Sequence, residues 1–599
     1  MLSDFKKLST LLTKREKLKF VILLVLMIIA ALFEAASVGA IPVFVAFLIR
    51  PSSINEISNF IHWLPTFPDT PEIDQVIWAS VILLTFILLK IIFFAMVSYA
   101  QARIVQRQQV RLGDRVFRAY QTASYDWFLQ RSSSELQSNI KRDTAVIING
   151  VMLPSLDLIL AIFISISILL AMIISTPYST FLSIIFIGLG VFALIKLMRN
   201  QLQNVGEIIR AENQRSIKAI QQGLGAFVDA RIIGCENYLA KVHYQSLCRQ
   251  AKANTFNTTV NKVTPYLIEI IAVMGILIVL FFIINSGKTL TESLPSLSVV
   301  AVVILRIRQI AGRVAAGVNT INASRPYIPK LMQDLRDLEE MTQVRNQKRA
   351  DTNIIDDFQQ LHLNNISYTY PKSNQPAISE VSLQLNKGES IAFVGSTGCG
   401  KSTLINCILG LLNPQSGTIT VNGYDIHKDP EGWLNCLGYI PQTIYLVDDT
   451  LRANIAFGVK ENQIDETRLH SAIVSSALLS FVEDLPKGLD TVVGEHGVRL
   501  SGGQRQRLGI ARALYFNPQV LVMDEATSAL DNQTEAEVMQ AIQNLKKERT
   551  FIMIAHRLST VRNCDRLYFL ENGKIINSGS YDELMNQSSS FRKMVAIDV

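Results

Sequence analysis

Charge is scarce in this chain: Asp, Glu, Lys and Arg supply 18% of its 599 residues, against 49% hydrophobic residues. That balance is too apolar for a chain of this length that is soluble throughout, and the length itself exceeds what one core holds. Two or more domains are expected. Cysteine is sparse as well. The six, Cys235, Cys248, Cys399, Cys407, Cys436 and Cys564, form no CxxC pair and no zinc-like spacing with histidine, so free thiols are expected. Acidic residues are fewer than basic ones, which leaves a formal charge of +7. In a chain with long apolar runs this reads as basic loops held on the cytoplasmic side of a membrane, with no nucleic-acid partner. A signal-peptide core is missing too, because Phe20 to Leu48 is longer and more apolar than one and lacks a small-residue cleavage site.

What is present is long hydrophobic runs, concentrated before about residue 320. Six of them, about 20–48, 76–100, 156–175, 180–197, 264–285 and 295–320, reach the length of a membrane helix. An even number places both chain ends on one side. Lys6, Lys7, Lys14, Arg15, Lys17 and Lys19 precede the first run, and Glu56, Asp69, Glu72 and Asp74 follow it. Arg103, Arg107, Arg111, Arg115 and Arg118 lie between the second and third, and Lys196, Arg199, Arg210, Arg215 and Lys218 between the fourth and fifth. This asymmetry predicts a multi-pass plasma membrane protein with both termini cytoplasmic. The two long cytosolic excursions are helical in period, so runs two to five are expected to extend into the cytoplasm as helices. Each has an elbow, at Tyr125-Asp126-Trp127-Phe128 and at Gly223-Leu224-Gly225-Ala226-Phe227, where a transverse helix could dock on another domain. The expected division is a six-helix, all-α transmembrane domain (1–325), a charged linker helix (326–355) and an α/β nucleotide-binding domain (356–599).

That last domain is announced by Gly395-Ser396-Thr397-Gly398-Cys399-Gly400-Lys401-Ser402, which has P-loop spacing. The buried strand expected over Ser390 to Val394 and the helix over Ser402 to Leu412 give the motif its context. Glycines let the backbone turn its N–H groups onto a polyphosphate at a helix N-terminus. Lys401 would reach the outer phosphates and Ser402 would ligate Mg²⁺. Farther on, the apolar run Val520 to Met523 ends in Asp524-Glu525. Asp524 suits Mg²⁺, a cation that prefers oxygen ligands, and Glu525 is placed to polarise an attacking water. ATP and Mg²⁺ are the expected cofactors.

The stretch Leu500-Ser501-Gly502-Gly503-Gln504 resembles the signature sequence of ABC ATPases. Several other segments carry the same resemblance. Tyr370 resembles the aromatic that stacks on adenine, Gly438-Tyr439-Ile440-Pro441-Gln442 the Q-loop, Ser528-Ala529-Leu530-Asp531 the D-loop, and Ala555-His556-Arg557 the switch histidine. The resemblance implies that Thr403 joins the P-loop residues at the nucleotide, that Gln442 serves metal and water, and that His556 faces the γ-phosphate. It also implies head-to-tail closure of two ATPase domains, one's P-loop on the other's signature. With one set of motifs in the chain, a homodimer is expected.

Six runs fused ahead of the ATPase resemble ABC exporters and flippases. Phe33-Glu34-Ala35 to Ile41-Pro42-Val43-Phe44, Tyr125 to Ile140, and Ile444 to Thr450 are similar to those moving lipid-linked oligosaccharides or glycolipid precursors in a bacterial inner membrane. A multidrug or lipid A type exporter is the alternative within the fold, and an ATP-gated channel the alternative outside it. Gln309 stands where the resemblance leads one to expect proline. Basic residues within the runs bear on the substrate. Arg306 and Lys90 both fall about mid-bilayer at 1.5 Å per residue, and Arg313 shares the face of Arg306. They are expected to bind an anionic head group, unless they are neutralised by Glu34 or Glu269.

Overall fold

The computed structural model describes residues 12–49, 72–175, 179–285, 309–348, 357–371, 373–494, 497–525, 549–554 and 562–597, with positions 355 and 540. The chain forms two compact units. One comprises residues up to 122 with 131–339, and the other comprises 123–130 with 340 onwards.

The first unit is helical. Its main elements are α1 (Lys14–Ile49) and α2 (Glu72–Gln121), then, beyond the short α3 (Tyr125–Leu129), α4 (Leu153–Ser175). They continue with α5 (Ser179–Gly225), α6 (Phe227–Ile233), α7 (Glu236–Asn285) and a helix over 309–324. Among the described residues, three stretches are long and apolar enough to cross a membrane: Lys14–Ser37, Val76–Gln121 and Ser133–Ser167. These overlap the first three expected runs, and the fourth and fifth lie in α5 and α7. The helices α2, α5 and α7 run for 50, 47 and 50 residues, well past the apolar parts that the sequence marks. The sixth run is described only from residue 309, so Arg306 lies outside the described residues.

Side-chain placement along α2 follows its amphipathic sequence. Leu84, Leu88, Leu89, Ile91 and Ile92 are exposed, as expected of a face turned to acyl chains. Lys90 turns the other way, against α1. Small residues permit close crossings elsewhere. A Cβ on Gly206 of α5 would lie 2.0 Å from the carbonyl oxygen of Ala323, so no larger residue fits there. Ala311 and Ala315 pack with Ile268 of α7 in the same way. Within the same unit Asp334 is buried, accepts from Arg131 at 3.2 Å, and lies 3.3 Å from the Tyr120 hydroxyl. It sits in α8 (Tyr327–Lys348), the charged stretch expected as the linker.

The second unit holds two sheets. An antiparallel sheet has the order β2-β1-β4-β5, formed by β1 (Gln360–Tyr368), β2 (Ile378–Asn386), β4 (Ser416–Val421) and β5 (Tyr424–Asp425). The larger sheet contains β3 (Ser390–Val394), β6 (Leu437–Ile440), β7 (Val520–Asp524), β8 (Thr550–Ile554), β9 (Arg566–Glu571) and β10 (Lys574–Gly579), ordered β10-β9-β3-β8-β7-β6. All pairs from β9 to β6 are parallel, and β10 is antiparallel. Every residue of β3 and β8 is buried, because helices cover both faces of a parallel sheet. The C-terminal ends of β3, β8, β7 and β6 therefore open on one edge, the usual place for a ligand crevice.

Candidate nucleotide site

The P-loop is the turn from β3 into α9 (Lys401–Ile408). Gly400 caps that helix with φ 106°, and a Cβ there would lie 2.4 Å from the Ala377 carbonyl oxygen, so only glycine fits. The helix is shorter than expected. It ends at Ile408, because Gly410 turns left-handed at φ 71° and closes it. Ser396, Thr397 and Gly398 are exposed on the outside of the turn, whereas Cys399 and Lys401 are buried. The Lys401 ammonium donates to the carbonyls of Gly395 at 2.8 Å and Ser396 at 3.0 Å, which holds its charge within the loop. Cys399 fills the space beneath Gly395, 3.8 Å from that ammonium.

The carboxylates stand at the end of β7, two strands away. Asp524 closes the strand opposite Ile554. Burial and the neighbouring Asp524 carboxylate together push the Tyr439 phenol up to about 12. Glu525 follows with φ 50°, a left-handed conformation that costs a non-glycine residue energy, and its N–H donates to the Ile554 carbonyl at 3.1 Å. The Gln442 side chain, at the end of β6, donates to the Glu525 carboxylate at 2.6 Å. The sheet order therefore brings Gln442 and Glu525 together although 83 residues separate them.

Tyr370 lies just past β1, its hydroxyl 3.1 Å from Thr403 Oγ1 on the first turn of α9. Ser501 caps α10 (Gly502–Tyr515): its hydroxyl accepts from the Gln504 N–H at 3.2 Å, and the Gln504 side chain accepts from the Ser501 N–H at 2.8 Å. Asp531 and His556 lie outside the described residues. The donors that would face a cation, the Ser402 hydroxyl, the Gln442 amide oxygen and the Asp524 carboxylate, are all oxygens, the chemistry Mg²⁺ selects. The glycine cradle fits a polyphosphate.

The substrate residues fare differently. Lys90 is neutralised by Glu34 at 2.8 Å and also donates to the Ser37 hydroxyl at 3.0 Å. An ammonium in an apolar segment is costly, and the carboxylate one helix away offsets that cost. The expectation of a cation held for a head group is thereby corrected for Lys90, and the internal pairing with Glu34 is the arrangement found. Arg313 is exposed on helix 309–324, on the side away from Ala311 and Ala315. The position of Lys90 beside Glu34 had a sequence signal, opposite charges in adjacent runs. The left-handed backbone of Glu525 had none.

Comparison with known proteins agrees with this geometry. The family model described as ABC transporter matches residues 378–528, and that described as ABC transporter transmembrane region matches 20–218. An ATP-dependent lipid A-core flippase of Pasteurella multocida is 42% identical over 241 residues, 40% of this chain and 41% of the relative. A Staphylococcus aureus protein named as a multidrug export ATP-binding/permease protein is 40% identical over 238 residues, 40% of this chain and 41% of that one. The chain thus spans about two fifths of the length of these relatives. A solved structure of a bacterial Atm1-family ABC exporter with ATP bound superposes with a TM-score of 0.79 over 96% of this chain and 97% of that one, at 21% identity, a likeness of fold. The chain belongs to the ABC transporters, with the transmembrane region and the ATPase domain fused in one polypeptide.

Proposed function

We propose that the protein is an ATP-driven exporter or flippase of a multi-pass bacterial inner-membrane type, working as a homodimer with Mg²⁺ and ATP at two composite sites. The observation that carries hydrolysis is the 2.6 Å bond from Gln442 to Glu525 at the strand edge that also bears the P-loop. Backbone N–H groups of 395–400 bind the phosphates, with Lys401 exchanging its carbonyl partners for phosphate oxygens. Ser402, Gln442 and Asp524 hold Mg²⁺, which neutralises phosphate charge when bound. Glu525 takes a proton from the attacking water that Gln442 helps to position, and His556 faces the γ-phosphate. Tyr370 stacks on adenine. Ser501, Gly502, Gly503, Gln504 and Asp531 complete the site of a second copy.

The cargo proposed is an amphipathic, anionic glycolipid or lipid-linked oligosaccharide. Relatives named as lipid A-core flippases support a lipid, and Arg306 and Arg313 supply cations for its head group. The relative named for multidrug export supports a cationic or neutral drug as the second reading. Reconstitution into proteoliposomes separates the two. ATPase stimulation by polyprenyl-pyrophosphate sugars or lipid A precursors is expected, and stimulation by cationic drugs alone would sink the lipid reading.

A further inference from the structure

A cavity of about 200 Å³ lies where the start of α1, the later turns of α2 and the π-helical turn Ile148–Met152 come together. Leu112, Ile148 and Met152, all buried, form its inner wall with Leu12, while the more exposed Arg111 and Arg115 stand at its rim. Ile148 and Met152 are the first and last residues of the π turn, a rare helical form that is frequent at functional sites.

Glu16, 5% exposed, also lines the cavity, and its carboxylate is already occupied. It accepts from the Thr13 N–H and hydroxyl, both at 2.8 Å, from the Gln108 amide at 2.6 Å and from Arg111 Nη1. That last bond fixes the Arg111 guanidinium at the rim and leaves its Nε and Nη2 without a partner among the described residues. Arg115, one turn on, gives Nε and Nη2 to Glu339 and keeps Nη1. Two guanidiniums with donors to spare therefore share one face of α2. The charges of Glu16 and Glu339 are outweighed, because Lys14, Arg15 and Lys17 flank Glu16 and Arg107 lies one turn before Arg111, all of them exposed.

An apolar interior gains nothing from an inorganic anion, and an arginine rim gains nothing from a neutral hydrocarbon, so together they select a molecule with both parts. The volume is below the roughly 300–1,000 Å³ of pockets that enclose drug-sized ligands, and it suits one end of an acyl chain. A bilayer phospholipid is poorly placed to supply that chain. Glu16 precedes the apolar run of α1 by about four residues and Gln108 follows that of α2 by about eight, so at 1.5 Å per residue the cavity lies about 6–12 Å beyond the hydrocarbon edge. We propose that the cavity binds a single-chain anionic amphiphile, a fatty acid, with its carboxylate on Arg111 and Arg115 and its chain end against Leu112, Ile148 and Met152. The bound chain links α1 and α2 to the π turn that leads into α4.

The test uses the full chain in zwitterionic lipid nanodiscs and decanoic acid carrying a diazirine at its chain end. Photolabelling, mapped by mass spectrometry, should saturate at Leu112, Ile148 or Met152 and be competed by unmodified decanoate. The matching diazirine alcohol lacks the charge and should need about tenfold more for half-saturation, the worth of one hydrogen bond to a charged group. Arg111→Gln with Arg115→Gln should weaken labelling by the acid as much, leave labelling by the alcohol unchanged, and retain basal ATP hydrolysis. Equal half-saturation for acid and alcohol, or for the double variant and the wild type, overturns the proposal. Labelling that is absent from the three residues or confined to the apolar runs does so too, whatever fills the space, the chain's own residues 1–11 included. A diazirine-bearing phosphatidylglycerol that labels the same three residues as well as the acid does would make the occupant a bilayer lipid and is equally fatal. If the double variant does not fold, the comparison of acid with alcohol in the wild type decides alone.

Discussion

Glu525 pairs a demanding chemical role with a backbone conformation of φ 50°, which the Ile554 carbonyl holds through the Glu525 N–H. Strain of this kind persists where neighbouring structure over-determines it, and here it turns the carboxylate toward Gln442. Glu525→Gln is expected to keep ATP binding while turnover falls about a thousandfold or more, since only the proton acceptor is lost. Near wild-type turnover in a phosphate-release assay would refute the assignment. Lys90 yields a second prediction. Lys90→Ala removes the cation paired with Glu34 in an apolar segment and should cost about 3 kcal/mol, whereas replacing both with methionine should recover most of the loss. Thermal unfolding in detergent tests this, and a double variant no more stable than the single one would show that the pair is not the reason. The Asp-Glu step and the Gly-Lys-Ser loop were legible because their chemistry is local in sequence. The Lys90 pair was only half legible, since it depends on how α1 and α2 are rotated against each other.

Among elements, β3 and β7 of the large sheet were legible nearly to the residue, since fully buried parallel strands read as unbroken apolar runs. The strand β1 was less so: its register with β2 slips between Leu363 and Ile366, where Asn365 takes φ 47°, and a bulge breaks the alternation that the sequence suggests. The helix α10 starts at Gly502, because the Ser501–Gln504 capping box brings both glycines into its first turn. Ser501 therefore has two duties, capping α10 and, as proposed, facing a second copy's nucleotide. Ser501→Ala should lower stability by about 1 kcal/mol, and Ser501→Asn should restore it because asparagine caps as well as serine. Hydrolysis should stay impaired in both. If activity instead recovers together with the melting temperature, the hydroxyl is a cap and nothing more.

At the scale of the whole molecule, one chain supplies one P-loop and one signature helix, and the apolar α6 is left largely exposed among the described residues. Phe227, Val228, Ile232 and Ile233 are 65–78% exposed, and only Ala230 of that helix is buried. An exposed apolar helix invites a protein partner, and the homodimer proposed above would bring one for α6 and for the signature together. The arrangement makes a complementation experiment decisive. Lys401→Ala removes the cation from the P-loop of one chain. Gly503→Asp places a carboxylate at the helix N-terminus where the other copy's phosphates would lie, and its charge repels them. Each variant alone should be inactive, since every composite site in either homodimer lacks a part. Co-expressed chains that assort at random form mixed dimers half the time, and each mixed dimer holds one site with an intact P-loop and an intact signature. If the sites act independently, purified mixtures should therefore recover about a quarter of wild-type ATP hydrolysis. No recovery, with mixed dimers demonstrated by differential affinity tags, would rule out two independent head-to-tail sites. Recovery well above that fraction would mean that one site suffices to drive the dimer.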